Sequence, residues 1–211
     1  MRYEGKFDVT FASDNDFGVP TLDLSLQARL LPAPFLAWGS VARTNRMPGC
    51  YHFFVDDSKF SALWKQPLRL VESGCRAVVE PNFSTSDQLP LARILWDIYR
   101  KRWLARFWQA HGLPIVVDLN VAPRAAEANL LGVPRGWTAF ATRYQAVSGA
   151  ALSRQQNSLA ALDEQARTAE KHANTAISLV VYSGGPAVAE HCRQRGWQHF
   201  PNQAERLRIE T

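Results

Sequence analysis

A short apolar run and a polar turn open the stretch that decides the fold, which reads Ala77-Val78-Val79-Glu80-Pro81-Asn82-Phe83-Ser84-Thr85-Ser86-Asp87. The apolar run predicts a buried strand, and the polar turn supplies capping residues for a helix. That helix is predicted to start at Pro90 and to end before Gly112, because proline suits a first helical turn and glycine suits the position after a helix. Side chains at the carboxyl end of the strand, here Glu80 and Asn82, lie where α/β sheets and barrels bind their ligands.

The predicted helix has two apolar faces and therefore needs two packing partners. One face gathers Leu91, Ile94, Leu95, Ile98 and Ala105, and the other gathers Leu89, Ala92, Trp96, Trp103 and Phe107. Two polar strips lie between these faces, with Arg93, Asp97, Arg100 and Lys101 on one and Arg102, Arg106 and Gln109 on the other. One interpretation is a central helix whose arginines reach water or pair locally. The other is a phosphate-binding surface, because the basic residues are interleaved with aromatic rings that can stack on bases.

Several elements of this stretch form a fairly specific pattern, namely Pro81-x-Phe83-Ser84, Pro90, Tyr99-Arg100-x-Arg102-Trp103 and Trp108-Gln109-x-x-Gly112. The pattern resembles an uncharacterised prokaryotic family, a domain of unknown function met in phages, plasmids and other mobile elements. The similarity runs from about Tyr51 to Tyr144 and includes Asp56-Asp57 and Trp64-x-x-Pro67. Where the family pattern has aspartate in the central loop, this chain has Asn82. The resemblance implies a mobile-element context and no defined activity.

Strands and helices alternate on both sides of the central unit, with further helices predicted for 60–72 and for about 123–131. About eight strands are predicted, centred on Phe7, Phe35, Tyr51, Val78, Ile115, Trp137, Leu179 and His199. Near-continuous apolar strands separated by helices indicate a mostly parallel sheet covered on both faces. We therefore expect an α/β fold in the form of an irregular, small (β/α) barrel-like domain, irregular because the first two connections are too short for full helices. The alternative is a doubly wound open sheet.

Length and composition are those of a folded globular protein. The 211 residues, 46% hydrophobic and 20% charged, predict a single domain with an irregular part at 1–50, a regular core at 51–200 and an exposed tail at 201–211. No apolar run is long enough to span a bilayer and the start of the chain lacks the apolar core of a signal peptide, so we expect a cytoplasmic protein that does not associate with membranes. Three widely spaced cysteines indicate neither a disulfide framework nor a zinc site.

Acids and amides follow several of the predicted strands. Asp56, Glu80, Asn82 and Asp118 would converge at the carboxyl ends of parallel strands, together with Asn120. Carboxylates gathered in this way can hold Mg²⁺ or Mn²⁺ and assist phosphodiester chemistry, so these four residues are the candidate catalytic site. The competing interpretation is that each side chain only caps the helix that follows it.

Basic and glycine-rich segments indicate contacts with phosphate. Ser183, Gly184 and Gly185 lie between a predicted strand and a helix, where backbone N–H groups can bind an anion. A tight turn without a ligand would have the same sequence. The candidate nucleic-acid-binding residues are Arg43, Arg46, Arg100, Arg102 and Arg143.

Two classes of function remain. The net charge of +5 and the pI near 9.4 are compatible with a polyanionic partner. The first class is a nucleic-acid-associated protein of a mobile element, which binds DNA or RNA through its basic and aromatic surface. The second is a metal-assisted phosphoester- or nucleotide-processing enzyme that uses the acids at the strand ends.

Overall fold

The computed structural model describes residues 10–39, 46–144 and 158–205. It contains one sheet of seven parallel strands whose spatial order equals their order in the chain. The strands are β1 (Phe35–Ala37), β2 (Cys50–His52), β3 (Ala77–Val79), β4 (Ile115–Asp118), β5 (Ala139–Arg143), β6 (Ser178–Tyr182) and β7 (Gln198–Phe200). An order without reversal means that the sheet has no switch point, so the doubly wound alternative is wrong.

The sheet curls into a nearly closed barrel. Side chains from β1 to β6 form one buried interior cluster, with Phe35, Val79, Val116, Ala141 and Val180 among its members. Rings of the first and last strands meet across the interior, since Phe35 and Phe200 stack with their centroids 4.5 Å apart. Such a contact requires that the two ends of the sheet approach each other. The predicted α/β fold with an irregular barrel-like form is thereby confirmed.

Helices cover the outside of the barrel unevenly. They are α1 (Leu68–Val71), α2 (Leu91–Ala110), α3 (Leu159–Ala173) and α4 (Gly185–Arg195). The single helix predicted for 60–72 is wrong: the chain forms 3-10 turns at Asp57–Lys59 and Ser61–Trp64 and only then the short α1, because Pro67 cannot lie inside a continuous helix. The helix predicted for 123–131 is likewise two 3-10 turns, Pro123–Ala125 and Ala128–Leu130.

The helix α2 is central, as its two apolar faces predicted. Ile94 and Ile98 belong to one buried cluster with Val121, while Trp103 and Phe107 belong to the main core between helices and sheet. The helix follows Pro90 and ends before Gly112, which has φ of +82°. Burial on both sides leaves little of this helix for solvent, so its charged residues must find partners inside the protein.

The strand predicted around Phe7 lies almost entirely outside the described residues, and 10–12 do not form a strand. Within the described segments, no helix has the length and apolar character needed to cross a membrane.

Candidate functional site

A buried ionic network lies at the carboxyl ends of β3 and β4, where it joins them to α2. Glu80 accepts a hydrogen bond from Arg102 through one carboxylate oxygen and from the backbone N–H of Asp118 through the other. Both Glu80 and Arg102 are 0% exposed. The guanidinium also donates to the backbone oxygens of Leu131, at 3.0 Å, and Asn129, at 2.7 Å. Arg102 therefore fixes the loop after β4 and is not part of an exposed basic surface.

The second half of the network is centred on Asp118. Lys101 Nζ donates to Asp118 Oδ2 at 3.2 Å and to its backbone oxygen at 2.8 Å. Asn82 Nδ2 lies 3.3 Å from the same carboxylate oxygen, and the N–H of Asn120 donates to the other oxygen. Burial raises the pKa of Asp118 to about 6, and the neighbouring Lys101 opposes that rise. The carboxylate is thus surrounded by donors of the protein.

The predicted convergence of acids at the strand ends is therefore partial. Glu80, Asn82 and Asp118 do lie together, whereas Asp56 is exposed and accepts a hydrogen bond from the N–H of Ser58, so it caps its own 3-10 turn. Among the residues in the described ranges, no three His, Cys, Asp or Glu side chains are placed to hold one metal ion. The two carboxylates that come together, Glu80 and Asp118, are already paired with Arg102 and Lys101. In this arrangement they do not fit Mg²⁺ or Mn²⁺.

The candidate basic residues are dispersed. Arg43 lies outside the described residues, and Arg46 is exposed. Arg100 is paired with Asp97, has a side chain only 15% exposed and lies over the ring of Phe83. These placements do not produce one continuous basic strip along α2, because the burial of α2 on both faces turns most of its charges inward.

Arg143 is placed differently. It ends β5 and lines a cavity of about 500 Å³ together with Phe54, Tyr182 and Ser183 from other strand ends and with 202–204 from the segment after β7. Burial lowers the pKa of Arg143, which the Tyr182 hydroxyl opposes. No hydrogen bond or ion pair joins its guanidinium to another described residue. This cavity is the mouth of the barrel at its carboxyl end.

The predicted phosphate-binding turn forms one wall of that mouth. Ser183, Gly184 and Gly185 all have positive φ, and they lead directly into α4. The Gly184 N–H and the Ser183 hydroxyl donate to Glu205 Oε1 at 3.0 and 3.1 Å. The carboxylate of Glu205 therefore lies where an anion was expected, while 206–211 of the predicted tail lie outside the described residues.

Three important residues were not singled out by the sequence, namely Lys101, Asn129 and Glu205. Lys101 and Asn129 belong to the ionic network, and nothing in the periodicity of α2 or the loop distinguishes them. Glu205 had a usable signal, because Asn202-x-x-Glu205 has the spacing of a reciprocal helix cap, which the structure contains.

Known proteins resemble this chain over about two thirds of its length. The sequence profile of DUF4417, a domain of unknown function, matches residues 11–155. The Gene 1 protein of Mycobacterium phage L5 is 32% identical over 145 residues, which is 64% of this chain and 62% of the relative. The Gene 1 protein of Mycobacterium phage D29 is 31% identical over 145 residues, or 64% of this chain and 53% of the relative. The match thus spans less than two thirds of either relative.

No solved structure matches this chain significantly. The matched residues include the ionic network and Arg143, while the turn at Ser183 and Glu205 lies beyond them. The resemblance seen in the sequence is confirmed, and its phage context is that of both relatives. Because the profile covers well over half of the sequence, the chain belongs to the DUF4417 family.

Proposed function

We propose that this protein binds nucleic acid, and that one nucleotide of the ligand occupies the mouth of the barrel with its phosphate on Arg143. The observation that carries the proposal is a guanidinium that lines a cavity and has no ionic partner among the described residues. A partly desolvated arginine is stabilised by a bidentate anion, and phosphate matches the planar fork of its donors.

The cavity has the size and lining that a nucleotide requires. Its volume of about 500 Å³ falls in the range of small-ligand sites, roughly 300 to 1,000 Å³. One side of it is aromatic, where the partly exposed ring of Tyr182 stacks on the buried ring of Phe54 with centroids 5.6 Å apart and planes 18° apart. Aromatic faces accept any base and add about 1–3 kcal/mol per stacked base. The mouth therefore combines a charge for the backbone with one partly exposed ring, that of Tyr182, for a base.

A second aromatic surface supports binding of an extended strand. Trp96, on the outer side of α2, is 40% exposed and stacks on Tyr99 with planes 9° apart. Arg93 lies one turn earlier on the helix, where it pairs with the buried Asp97 at 3.0 Å and keeps its side chain 56% exposed. Since helices of a parallel barrel begin at the carboxyl end of the strands, this surface lies toward the end of the molecule that carries the mouth.

The alternative, a metal-assisted enzyme, has less support. Its proposed ligands Glu80 and Asp118 are buried against Arg102 and Lys101. To bind a metal, each carboxylate would have to release a buried cation, which costs several kcal/mol. Binding without catalysis is thus the function that the geometry favours.

The test compares two arginine variants in titrations with labelled single-stranded DNA, single-stranded RNA and duplex DNA. Arg143→Ala should weaken binding at least about tenfold and reduce the salt slope by about 1, because one phosphate contact is lost. Arg76→Ala is the control, since Arg76 is exposed and precedes β3 at the opposite end of the barrel. It removes the same charge and should change affinity by less than about twofold.

The comparison of the three nucleic acids identifies the ligand class. Equal losses in both variants would show that only general charge attracts the ligand and would overturn the proposal. Failure of the wild-type protein to bind any of the three at about 50 mM salt would overturn it as well, because low salt favours phosphate contacts.

A further inference from the structure

The carboxylate of Glu205 occupies the turn between β6 and α4. Its Oε1 atom accepts from the Gly184 N–H at 3.0 Å and from the Ser183 hydroxyl at 3.1 Å. Its Oε2 atom accepts from the N–H of Asn202 at 2.9 Å, while the Asn202 side chain accepts from the N–H of Glu205. One oxygen thus binds the turn, and the other closes a helix cap within the segment itself.

The turn is shaped to receive an anion. Ser183, Gly184 and Gly185 have φ of +70°, +117° and +70°. The Ser183 N–H donates to the backbone oxygen of Phe200, whereas the Gly184 N–H donates to Glu205. Gly184 cannot be replaced without a clash, because an added Cβ would lie 2.5 Å from a methyl group of Val188. The Gly184 N–H lies at the positive end of an 11-residue helix, which favours negative charge.

The same turn borders the cavity that contains Arg143. Ser183 lines the cavity beside Arg143 and Tyr182, and 202–204 form the wall that carries Glu205. Ser183 connects the two positions, because it lines the cavity beside Arg143 and its hydroxyl donates to Glu205. A ligand that brings two phosphate groups, as an oligonucleotide does, can satisfy both positions.

We infer that Glu205 competes with the ligand. Its carboxylate occupies the phosphate position at Ser183 and Gly184, and it leaves that position when nucleic acid binds. This inference rests on the proposed function. A phosphodiester of the backbone carries the same single negative charge as a carboxylate and has two non-bridging oxygens, so it can accept the same two hydrogen bonds.

The ionisation state of the Glu205 carboxylate suits this role. Burial tends to raise the pKa of Glu205, but hydrogen bonds from Asn202, Gly184 and Ser183 outweigh burial and lower it. The carboxylate is therefore charged at neutral pH, as a phosphate mimic must be. Its cap with Asn202 lies within the segment and is kept if the segment moves away from the mouth, whereas the hydrogen bond from Asn202 Nδ2 to Ser183 Oγ, at 2.8 Å, is lost with the contacts of Glu205.

The experiment uses the full chain and a fluorescein-labelled single-stranded oligonucleotide. Glu205→Ala should bind about tenfold more tightly than wild type, because the internal competitor is removed. Glu170→Ala is the matched control, since it removes the same charge from the exposed side of α3. The control should bind like wild type to within about twofold, as expected for a distant surface charge.

A second readout separates competition from a change in folding. In ¹⁵N-labelled protein, the Gly184 amide resonance should shift when Glu205 is replaced by alanine, and inorganic phosphate should shift it again. In the wild-type protein the same phosphate titration should move this resonance only at higher concentration.

The outcomes are distinct. Tighter binding by Glu205→Ala and not by Glu170→Ala supports the inference. Unchanged or weaker binding by Glu205→Ala, with Arg143→Ala impaired, overturns the inference and leaves the proposed function intact. Absence of oligonucleotide binding by every form overturns the proposed function and the inference with it.

Discussion

Lys101 Nζ lies 3.2 Å from Asp118 Oδ2, and both side chains are almost completely excluded from solvent. The pair joins the middle of the longest helix to the end of a central strand. Charges buried in this way are costly when one partner is lost, which makes the network measurable through the stability of the protein.

Lys101→Met should lower the free energy of unfolding by about 3 kcal/mol at neutral pH, because the Asp118 carboxylate loses its cation. Without Lys101 the pKa of Asp118 rises above its present value of about 6. A folded-state pKa above the unfolded value of 3.8 means that stability falls as pH rises through that interval. The deficit of the variant should therefore grow as pH increases above about 6.

Denaturant titrations of wild type and Lys101→Met across this pH range measure the effect. Lys171→Met, on the exposed side of α3, is the control and should show no such trend. A deficit that is constant with pH would contradict the assignment of the response to Asp118.

Glu80→Gln should destabilise the protein by about 3–5 kcal/mol, since it leaves the fully buried Arg102 without a counter-ion. Replacing both partners, as in Glu80→Leu with Arg102→Met, should recover a large part of the loss, because no unpaired charge remains. Thermal and chemical unfolding of the two variants provide the test.

The exposed pair of Glu164 and Arg167 serves for comparison. Glu164→Gln should change stability by less than about 1 kcal/mol, as is usual for surface ion pairs. Equal effects of Glu80→Gln and Glu164→Gln would mean that the buried pair adds nothing beyond a surface contact.

Gln109→Met should cost about 1–3 kcal/mol, because three partly buried backbone groups lose their hydrogen-bond partner. The Gln109 amide accepts from the N–H of Asp23 and donates to the backbone oxygens of Asp23 and Leu26. Hydrogen exchange at Asp23 should accelerate in the variant. Gln66→Met, at an exposed position, is the control, and equal exchange at Asp23 in both variants would disprove this role.

Gly184→Ala should be more destabilising than Gly185→Ala. Both positions have positive φ, which costs a non-glycine residue about 1–2 kcal/mol. Only at Gly184 does the new methyl group also collide with Val188, whereas Gly185 has open space around it. Thermal unfolding of the two variants measures the difference, and a smaller loss for Gly184→Ala would contradict the described turn.

The barrel could be predicted because its strands carry local signals. Val78-Val79 and Ile115-Val116-Val117 are apolar without interruption, as buried parallel strands require. The approach of Glu80, Asn82 and Asp118 followed from the same topology, since neighbouring parallel strands end at one edge.

The partners of these side chains could not be predicted in the same way. Arg102 and Lys101 lie on the polar strips of α2 by periodicity, yet they meet Glu80 and Asp118 inside the protein. That pairing depends on which side of the helix faces the sheet, and helical periodicity does not contain this information when both faces are apolar. The contact of Glu205 with Gly184 likewise depends on the path of the chain after β7.

The motif that carries the family resemblance has a structural explanation. The indole N–H of Trp108 donates to the backbone oxygen of Pro67. The Gln109 side-chain amide donates to the backbone oxygens of Asp23 and Leu26. Arg102 donates hydrogen bonds to the backbone oxygens of Asn129 and Leu131 in the loop after β4. The most recognisable residues of the sequence thus fasten peripheral segments to α2, and the proposed ligand contacts lie elsewhere.

The seam between β1 and β7 differs in kind from every other junction of the sheet. Neighbouring strands elsewhere share backbone hydrogen bonds, whereas among the described residues this junction is bridged by the rings of Phe35 and Phe200. Ring contacts tolerate sliding that a hydrogen-bonded ladder does not, because dispersion is weakly directional. The barrel is consequently more deformable on this side than elsewhere. Separation of β1 from β7 would make room for a larger ligand without breaking any hydrogen bond between paired strands.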